Sequence, residues 1–211
     1  MRLRCLRLVL LASLHAGPVS ASPPPTIHRL FVDGAASCVA TPVARRWVIT
    51  ARHCIQPANH DKLSLRRLLL QDELGKTRRV VATPGLARRY QHLGELHGHD
   101  LALLQIDGHF SRWEAVAEDA PKFGDILSAW VWRDVRSSTV LARAIWVDQR
   151  AIYLESFSVP GDSGAPVFDT LGRVLGVASW STDRFHDKGL TVVNRLAPHV
   201  RWIHRTISGA E

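Results

Sequence analysis

From residue 27 onward, the chain is a succession of short apolar runs separated by glycine, proline and polar turns. Runs of this length with turn signals between them are typical of an all-β barrel or sandwich. The clearest runs are residues 30–32, 38–40, 47–49, 80–82, 101–104, 128–131, 139–147, 151–154, 165–168, 174–180 and 190–193. Residues 66–70 fit a strand and a single helical turn equally well. The sequence therefore predicts an all-β protein.

The last part of the chain has a different periodicity. Val200, Ile203 and Ile207 recur at helical spacing, and Pro198 before them suits the start of a helix. Residues 169–173 predict a hairpin turn between two of the apolar runs. With 211 residues, the chain is long enough for one domain, of one or two lobes, with a core of its own.

The first 21 residues have the pattern of a secretory signal peptide. Three arginines precede the apolar run 8–16, and Val19, Ser20 and Ala21 form a small-residue cleavage site. The mature protein is therefore predicted to begin near Ser22 and to be exported, as a secreted or periplasmic protein. The apolar run is too short to span a membrane, and no later stretch approaches the ~18 apolar residues that a spanning helix needs.

Basic residues remain in excess when residues 1–21, the predicted leader, are left out of the charge count. The formal net charge of +8 falls to about +5, because 24 Lys and Arg then face 19 Asp and Glu. Such a surplus can favour polyanions, but many secreted proteins are basic for solubility alone. No specific nucleic-acid partner is therefore predicted.

The stretch Gly161-Asp162-Ser163-Gly164-Ala165 has the pattern of a turn that presents a reactive serine. Two glycines flank the serine, so that backbone N–H groups can face a reacting carbonyl group. Taken alone, the stretch fits an ordinary polar turn equally well. A serine nucleophile also needs a base and an acid that orients the base.

A histidine and an aspartate beside apolar runs supply these partners. His53 follows the run that begins at residue 47, and Asp100 leads into the run 101–104. The chain order is His53, Asp100, Ser163. In α/β-hydrolases the serine comes first, and their Gly-x-Ser-x-Gly elbow requires glycine where this chain has Ala165. The order therefore excludes that class of hydrolase.

The three segments together resemble the chymotrypsin/trypsin-like serine proteases, in which Thr-Ala-Ala-His-Cys, Asp-Ile-Ala-Leu-Leu and Gly-Asp-Ser-Gly-Gly-Pro segments occur in this order. The likeness is to small secreted bacterial members, because the cysteines for other disulfides of animal members are missing. The resemblance implies two six-stranded antiparallel β-barrels, at about residues 26–115 and 120–196, and a C-terminal α-helix at about 197–208.

The resemblance also implies a secreted serine endopeptidase with a triad of His53, Asp100 and Ser163. Ser163 would attack the peptide carbonyl, His53 would accept its proton, and Asp100 would orient the imidazole. The N–H groups of Gly161 and Ser163 would form the oxyanion hole. Such an enzyme acts on proteins or peptides, needs no cofactor and is expected to be a monomer. A catalytically silent binding protein on the same fold is the alternative.

Removal of the leader leaves two cysteines, Cys38 and Cys54. In an oxidising compartment such a pair is most simply a disulfide, and two buried free thiols are the alternative. The resemblance favours the disulfide, because the family pairs the cysteine beside the catalytic histidine with one at this spacing upstream.

The resemblance assigns several residues to the pocket for the substrate side chain before the cleaved bond. Phe157 stands where trypsin-like enzymes carry an aspartate that binds Lys or Arg, and Ser158 follows it. The pocket therefore lacks a negatively charged base, which predicts cleavage after uncharged residues. The alternative is that Phe157 points into the barrel core. The other residues assigned to the pocket are Ser179, Trp180, Ser181 and Gly189.

Histidines near Asp100 offer an alternative interpretation as a metal site. His97 and His99 lie on either side of Gly98 and, with Asp100, could ligate an ion. They lack clear third and fourth ligands, so loop histidines that line the cleft are the preferred interpretation. No metal is predicted.

Asp162 stands at the position of the acid with which the inserted N-terminus pairs in animal members of the family. This chain has no Ile-Val-Gly-Gly segment to supply such a terminus. Since a buried carboxylate without a partner is costly, an internal arginine is expected to pair with it. The candidates are Arg143, Arg133 and Arg136. Removal of the signal peptide alone is then expected to yield a competent enzyme.

Overall fold

The computed structural model of the chain describes residues 26–55, 67–86, 98–134, 136–155, 157–182 and 189–210. This part of the chain forms two closed barrels of six antiparallel strands each, followed by one short α-helix. The predicted all-β fold with two barrels is therefore confirmed. The leader and residues 56–66, 87–97 and 183–188 lie outside the described residues.

The first barrel closes in the strand order β1-β2-β3-β6-β5-β4. Its strands coincide with the apolar runs, and residues 68–71 are a strand instead of a helical turn. The strands are β1 (His28–Val32), β2 (Ala35–Ala44), β3 (Trp47–Thr50), β4 (Leu68–Gln71), β5 (Thr77–Leu86) and β6 (Ala102–Ile106).

The second barrel repeats this order as β10-β11-β12-β9-β8-β7. The predicted hairpin turn lies between β10 and β11, where the N–H of Gly172 donates to the carbonyl of Asp169 at 3.1 Å. The strands are β7 (Ile126–Arg133), β8 (Arg136–Val147), β9 (Ala151–Glu155), β10 (Pro166–Phe168), β11 (Val174–Thr182) and β12 (Leu190–Arg195).

The C-terminal helix begins slightly later than Pro198 suggests. Pro198 lies in a 3₁₀ turn, Ala197–His199, and the α-helix α1 runs over Val200–Ser208. Ile203 is the buried residue of this helix, and Trp202 and Ile207 pack beside it. Among the described residues, no helix has the length and hydropathy to cross a membrane.

One apolar cluster joins the two barrels to the helix. Trp47 and Leu103 reach it from the first barrel, Phe168 and Val177 from the second, and Ile203 from α1. All five side chains are at most 2% exposed. Because their burial depends on both barrels being in place, this cluster fixes how the two barrels pack against each other.

His28, at the start of β1, is a buried titratable residue of the first barrel. Its ring packs edge-on against Phe110 at 5.0 Å between centroids, and its Nε2 lies 3.4 Å from Nη1 of Arg78. Burial, and then the charge of Arg78, lower the pKa of His28 from 6.5 to about 4.

This low pKa predicts a loss of stability in acid. Between pH 6.5 and 4 the unfolded chain binds a proton at His28 that the folded chain does not, so stability falls as the pH falls. The pKa difference corresponds to about 3 kcal/mol. Urea unfolding at pH 7, 5.5 and 4 should show a smaller loss for His28→Phe than for the wild type. The exposed His109→Gln should keep the wild-type slope; an unchanged slope in His28→Phe contradicts the prediction.

Candidate active site

His53 and Asp100 meet because their strands are paired. His53 lies in a 3₁₀ turn, Arg52–Cys54, just after β3, and Asp100 lies just before β6. The strands β3 and β6 are antiparallel, with Thr50 opposite Ala102. The end of one is therefore beside the start of the other. Asp100 is fully buried and accepts hydrogen bonds from the backbone N–H of His53 at 2.8 Å and from its Nδ1 at 2.6 Å.

A hydrogen bond connects the loop that carries Asp100 to the C-terminal 3₁₀ turn. Nε2 of His199 lies 2.7 Å from the carbonyl oxygen of Gly98. Nε2 is the donor of this hydrogen bond, because a carbonyl oxygen only accepts, and burial lowers the pKa of His199. Gly98 has a φ of 73°, and a side chain there would overlap Arg150. These contacts fix the backbone at Gly98, two residues before Asp100, and so restrict the position of Asp100.

Ser179 connects the three predicted catalytic residues. It is buried in β11, at an irregularity between Ala178 and Trp180 in the pairing with β12. Its Oγ donates a hydrogen bond to Oδ2 of Asp100. Its carbonyl oxygen accepts a hydrogen bond from Oγ of Ser163 at 3.5 Å. Asp100 therefore has donors from both barrels, and Ser163 lies beside the residue that contacts Asp100.

The sequence assigned Ser179 only to the pocket wall and missed this hydrogen bond to Asp100. A serine within an apolar run was the available signal, because a buried hydroxyl needs a partner. The partner could not be identified from the sequence, since an extra residue in a strand changes the direction of its side chains.

The turn around Ser163 depends on both of its glycines. Gly161 has a φ of 101° and Gly164 a φ of 82°, in the region that only glycine enters readily. A Cβ on Gly164 would also overlap the carbonyl oxygen of Val39 and Oγ1 of Thr50. The carbonyl of Ser163 accepts a hydrogen bond from the N–H of Val39 at 2.8 Å. The turn of the second barrel is thereby fixed against the first barrel.

The backbone N–H groups of the turn around Ser163 differ in whether they donate a hydrogen bond within the described part of the protein. The N–H of Asp162 donates to Val159, and that of Gly164 donates to Ala178, at 3.0 and 2.7 Å. Within the described ranges, the N–H groups of Gly161 and Ser163 donate to no protein acceptor. They are the two groups predicted to form the oxyanion hole.

Asp162 is fully buried and pairs with Arg133, one of the three predicted candidates. Nη1 of Arg133 donates to Oδ1 of Asp162, and Nη2 donates to the carbonyl of Phe157 at 3.0 Å. The N–H of Val159 donates to the other carboxylate oxygen at 2.9 Å. The carboxylate therefore has a cationic partner inside the protein.

The other two candidate arginines lie elsewhere in the second barrel. Arg143 faces the carboxylate of Glu155, with Nε and Oε1 3.8 Å apart, and both side chains are about half exposed. Arg136 is exposed at the start of β8, directly opposite Arg133 in the strand pairing. Arg133 is therefore the internal partner of Asp162.

Cys38 and Cys54 form the predicted disulfide, with Cα atoms 6.2 Å apart. Sγ of Cys54 lies 3.9 Å from Nε2 of His53. Among the described residues, one group of potential metal ligands lies close together, and it consists of Cys38, His53 and Cys54. Both sulfurs are bonded to each other and are not thiolates, so this group is unsuited to a metal. His97 of the alternative metal interpretation lies outside the described residues.

Loss of this disulfide should weaken the fold and disturb His53. The bond closes a loop of 16 residues, and for such a loop the stabilisation is about 3 kcal/mol. The Cys38→Ala/Cys54→Ala double variant should unfold at a correspondingly lower urea concentration. Dithiothreitol should lower the wild-type midpoint to that of the double variant and leave the double variant unchanged. Equal midpoints for the two oxidised proteins would refute the prediction.

Phe157 is partly buried and packs against the core of the second barrel and an adjoining apolar cluster. This packing supports the alternative interpretation of Phe157 as a core residue. The N–H groups of Phe157 and Ser158 both lie within 3.3 Å of Oγ1 of Thr191, and that hydroxyl lies 3.2 Å from Oγ of Ser158. Thr191 is a buried residue of this region that the sequence did not suggest.

The remaining residues assigned to the pocket lie on two paired strands or beside them. Trp180 and Ser181 are exposed on β11, where Trp180 is opposite Val192 of β12. Gly189 precedes β12 with a φ of 49°. Among the described residues of this region, Glu155 is the nearest acid in sequence to Phe157, and it faces Arg143.

The sequence of residues 36–177 matches the family model of the trypsin-like peptidase domain. The chain therefore belongs to this family of proteases. Granzyme M of Rattus norvegicus is 26% identical over an alignment of 214 residues. The alignment covers 81% of this chain and 79% of granzyme M.

Among solved structures, neuropsin, a serine protease expressed in the limbic system of mouse brain, has the same fold. The TM-score is 0.70 at 18% identity, over 87% of this chain and 94% of the neuropsin chain. These two relatives come from rodents, so the likeness to bacterial members stays a prediction.

Proposed function

We propose that this protease is an exported serine endopeptidase whose catalytic residues are His53, Asp100 and Ser163. The observation that carries the proposal is that Ser179 forms hydrogen bonds with both Asp100 and Ser163. This residue donates to Asp100, Asp100 accepts from Nδ1 of His53 at 2.6 Å, and Ser163 donates to the carbonyl of Ser179. Ser179 thus links the three side chains, which supports the roles of His53 as base, Asp100 as orienting acid and Ser163 as nucleophile.

In the acylation step, Oγ of Ser163 attacks the peptide carbonyl carbon, and its proton passes to Nε2 of His53. With Nδ1 donating to Asp100, Nε2 is the nitrogen of the neutral ring that can accept a proton. The negative charge on the substrate oxygen is stabilised by the N–H groups of Gly161 and Ser163, which have no protein acceptor among the described residues. The imidazolium then gives its proton to the leaving amine as the C–N bond breaks.

In the deacylation step, His53 removes a proton from a water molecule that attacks the acyl-enzyme. The tetrahedral intermediate uses the same two N–H groups. Collapse of this intermediate releases the carboxylic acid and returns the proton from His53 to Oγ of Ser163. The cycle consumes one water molecule and leaves the three side chains as they began.

Export is part of the same proposal. The domain would comprise residues 22–211, after removal of a signal peptide at residues 1–21, and the Cys38–Cys54 disulfide fits an oxidising compartment. The leader itself lies outside the described residues.

Labelling with a fluorophosphonate probe tests the proposal. Folded protein should gain the mass of one probe, and peptide mapping should place it on Ser163. Heat-denatured protein and the His53→Ala variant should remain unlabelled, because the serine is then not activated. A folded wild-type protein that stays unlabelled would instead support the silent binding protein.

The proposed enzyme is expected to cleave after uncharged residues. No acid stands at the position of Phe157, and burying a substrate Lys or Arg without a carboxylate partner costs several kcal/mol. A peptide library should therefore give cleavage after small or medium uncharged side chains. Glu155→Gln should leave this profile unchanged. A wild-type profile dominated by Lys or Arg would refute the prediction.

A further inference from the structure

A small cavity of about 270 Å³ lies between the two barrels beside the Ser163 turn. Arg29 and Cys38 line it from the first barrel, and Trp132, Asp134 and Gly161 are among the residues that line it from the second. It is separate from the residues assigned to the pocket before the cleaved bond, none of which lines it.

The position of the cavity identifies which part of a substrate can reach it. One wall is Gly161, whose N–H is proposed to bind the reacting carbonyl. Another wall is Cys38, which is bonded to Cys54, and Sγ of Cys54 lies 3.9 Å from Nε2 of His53. His53 must deliver its proton to the leaving amine. The cavity therefore lies on the side of the leaving group.

Arg29 is the positive charge that remains available in this cavity. Its guanidinium carbon lies 5.7 Å from the centroid of the Trp132 ring, and its side chain is partly exposed. Among the ion pairs of the described residues, Arg29 takes part in none. The other arginine of the cavity, Arg133, is neutralised by the buried Asp162.

Contact with an aromatic ring restricts the guanidinium and leaves its N–H edge for an anion. A planar guanidinium with this edge exposed suits a carboxylate, which can accept two parallel hydrogen bonds. Asp134 is an exposed acid that also lines the cavity. It opposes the binding of an anion, so the strength of binding depends on the balance between Arg29 and Asp134.

We propose that this cavity binds a carboxylate of the leaving portion of the substrate, and that Arg29 is the residue that selects it. The proposal rests on the proposed endopeptidase function and adds a preference on the far side of the cleaved bond. The carboxylate is either the side chain of Asp or Glu at the first or second position after that bond, or the free C-terminus of a substrate that ends there.

Quenched-fluorescence peptides with one common acyl portion provide the test. Glu, Gln or Lys is placed at the first or the second position after the cleaved bond, and kcat/KM is measured. For a partly exposed charge-assisted contact we expect the Glu peptide to exceed the Lys peptide about tenfold at the preferred position. Peptides that end at the second position, as the free acid and as the amide, distinguish a C-terminal carboxylate from a side chain.

Variants of the cavity should change this preference in opposite directions. Arg29→Gln should remove the preference for the carboxylate, and Arg29→Glu should reverse it in favour of Lys. Asp134→Asn should strengthen the preference for Glu. The exposed Arg79→Gln of the first barrel, whose partner is Asp107, is the matched control and should behave as the wild type.

An ester substrate with the same acyl portion and a small alcohol leaving group separates the two proposals. All four variants should hydrolyse it at the wild-type rate, because its leaving group does not reach the cavity. Normal ester hydrolysis with equal rates for Glu, Gln and Lys peptides would overturn the carboxylate site alone, as would a preference that Arg29→Gln retains. A folded protein that neither hydrolyses the ester nor reacts with the fluorophosphonate would overturn the endopeptidase function and the site together.

Discussion

Ser163→Ala is expected to lower kcat by up to about a million-fold while leaving the fold unchanged. The reason is that no covalent intermediate can form without Oγ of Ser163. Alanine fits the turn without strain, because the carbonyl of residue 163 can still accept the N–H of Val39 and both flanking glycines remain. Casein hydrolysis and far-UV circular dichroism measure the two effects separately.

A serine away from the cleft provides the control for this prediction. Ser111 is exposed, and Ser111→Ala should retain wild-type hydrolysis. If Ser163→Ala hydrolyses casein as fast as the wild type, Ser163 is not the nucleophile. A variant that loses its circular dichroism spectrum would indicate unfolding, and fluorophosphonate mapping of the wild type would then decide the assignment.

The three residues proposed as catalytic could be selected from the sequence because each lies in a local pattern. His53 ends one apolar run, Asp100 begins another, and Ser163 lies between glycines. The pairing of β3 with β6 then brings the first two together. The all-β class could be predicted for a similar reason, since short runs between turns leave few ways to bury one face of each strand. The two-barrel architecture was implied only by the resemblance to the chymotrypsin/trypsin-like proteases.

Contacts that depend on tertiary geometry could not be predicted in this way. Ser179 reaches Asp100 from a strand irregularity. Thr191 of β12 approaches Phe157 and Ser158, which follow β9 and lie 34 and 33 residues away in sequence. Three arginines were equally good partners for Asp162. Only the folded β7–β8 hairpin distinguishes Arg133, at the end of β7, from Arg143. The contact of Arg29 with Trp132 could not be predicted either, because the two residues belong to different barrels.

Arg133→Gln is expected to reduce both stability and activity. Asp162 is fully buried, so removal of its cationic partner leaves an uncompensated carboxylate. Breaking such a pair costs about 3 kcal/mol or more. Asp162 lies between Gly161 and Ser163, and a shift of this residue would displace the two N–H groups that are proposed to form the oxyanion hole. Loss of one oxyanion donor costs about 100- to 1000-fold in kcat, and we expect a loss of that size, measured with the ester substrate.

A double-variant cycle separates the buried charge from the loss of packing. Arg133→Gln combined with Asp162→Asn removes both charges and should recover most of the lost unfolding free energy. Arg143→Gln is the matched control, because its pair with Glu155 is about half exposed, and it should cost less than about 1 kcal/mol. Equal losses for Arg133→Gln and Arg143→Gln would contradict a special role for the Arg133–Asp162 pair.

The same pair predicts that the N-terminal ammonium group is not needed for activity. Arg133 already neutralises Asp162, and the carboxylate also accepts the N–H of Val159. An inserted ammonium would have to displace Arg133 and leave its guanidinium without a partner, which costs free energy. Acetylation of the mature N-terminal amine should therefore leave kcat/KM unchanged, in the wild type as in Arg143→Gln. A loss of most activity on acetylation would show that the terminus, and not Arg133, orders the turn around Ser163.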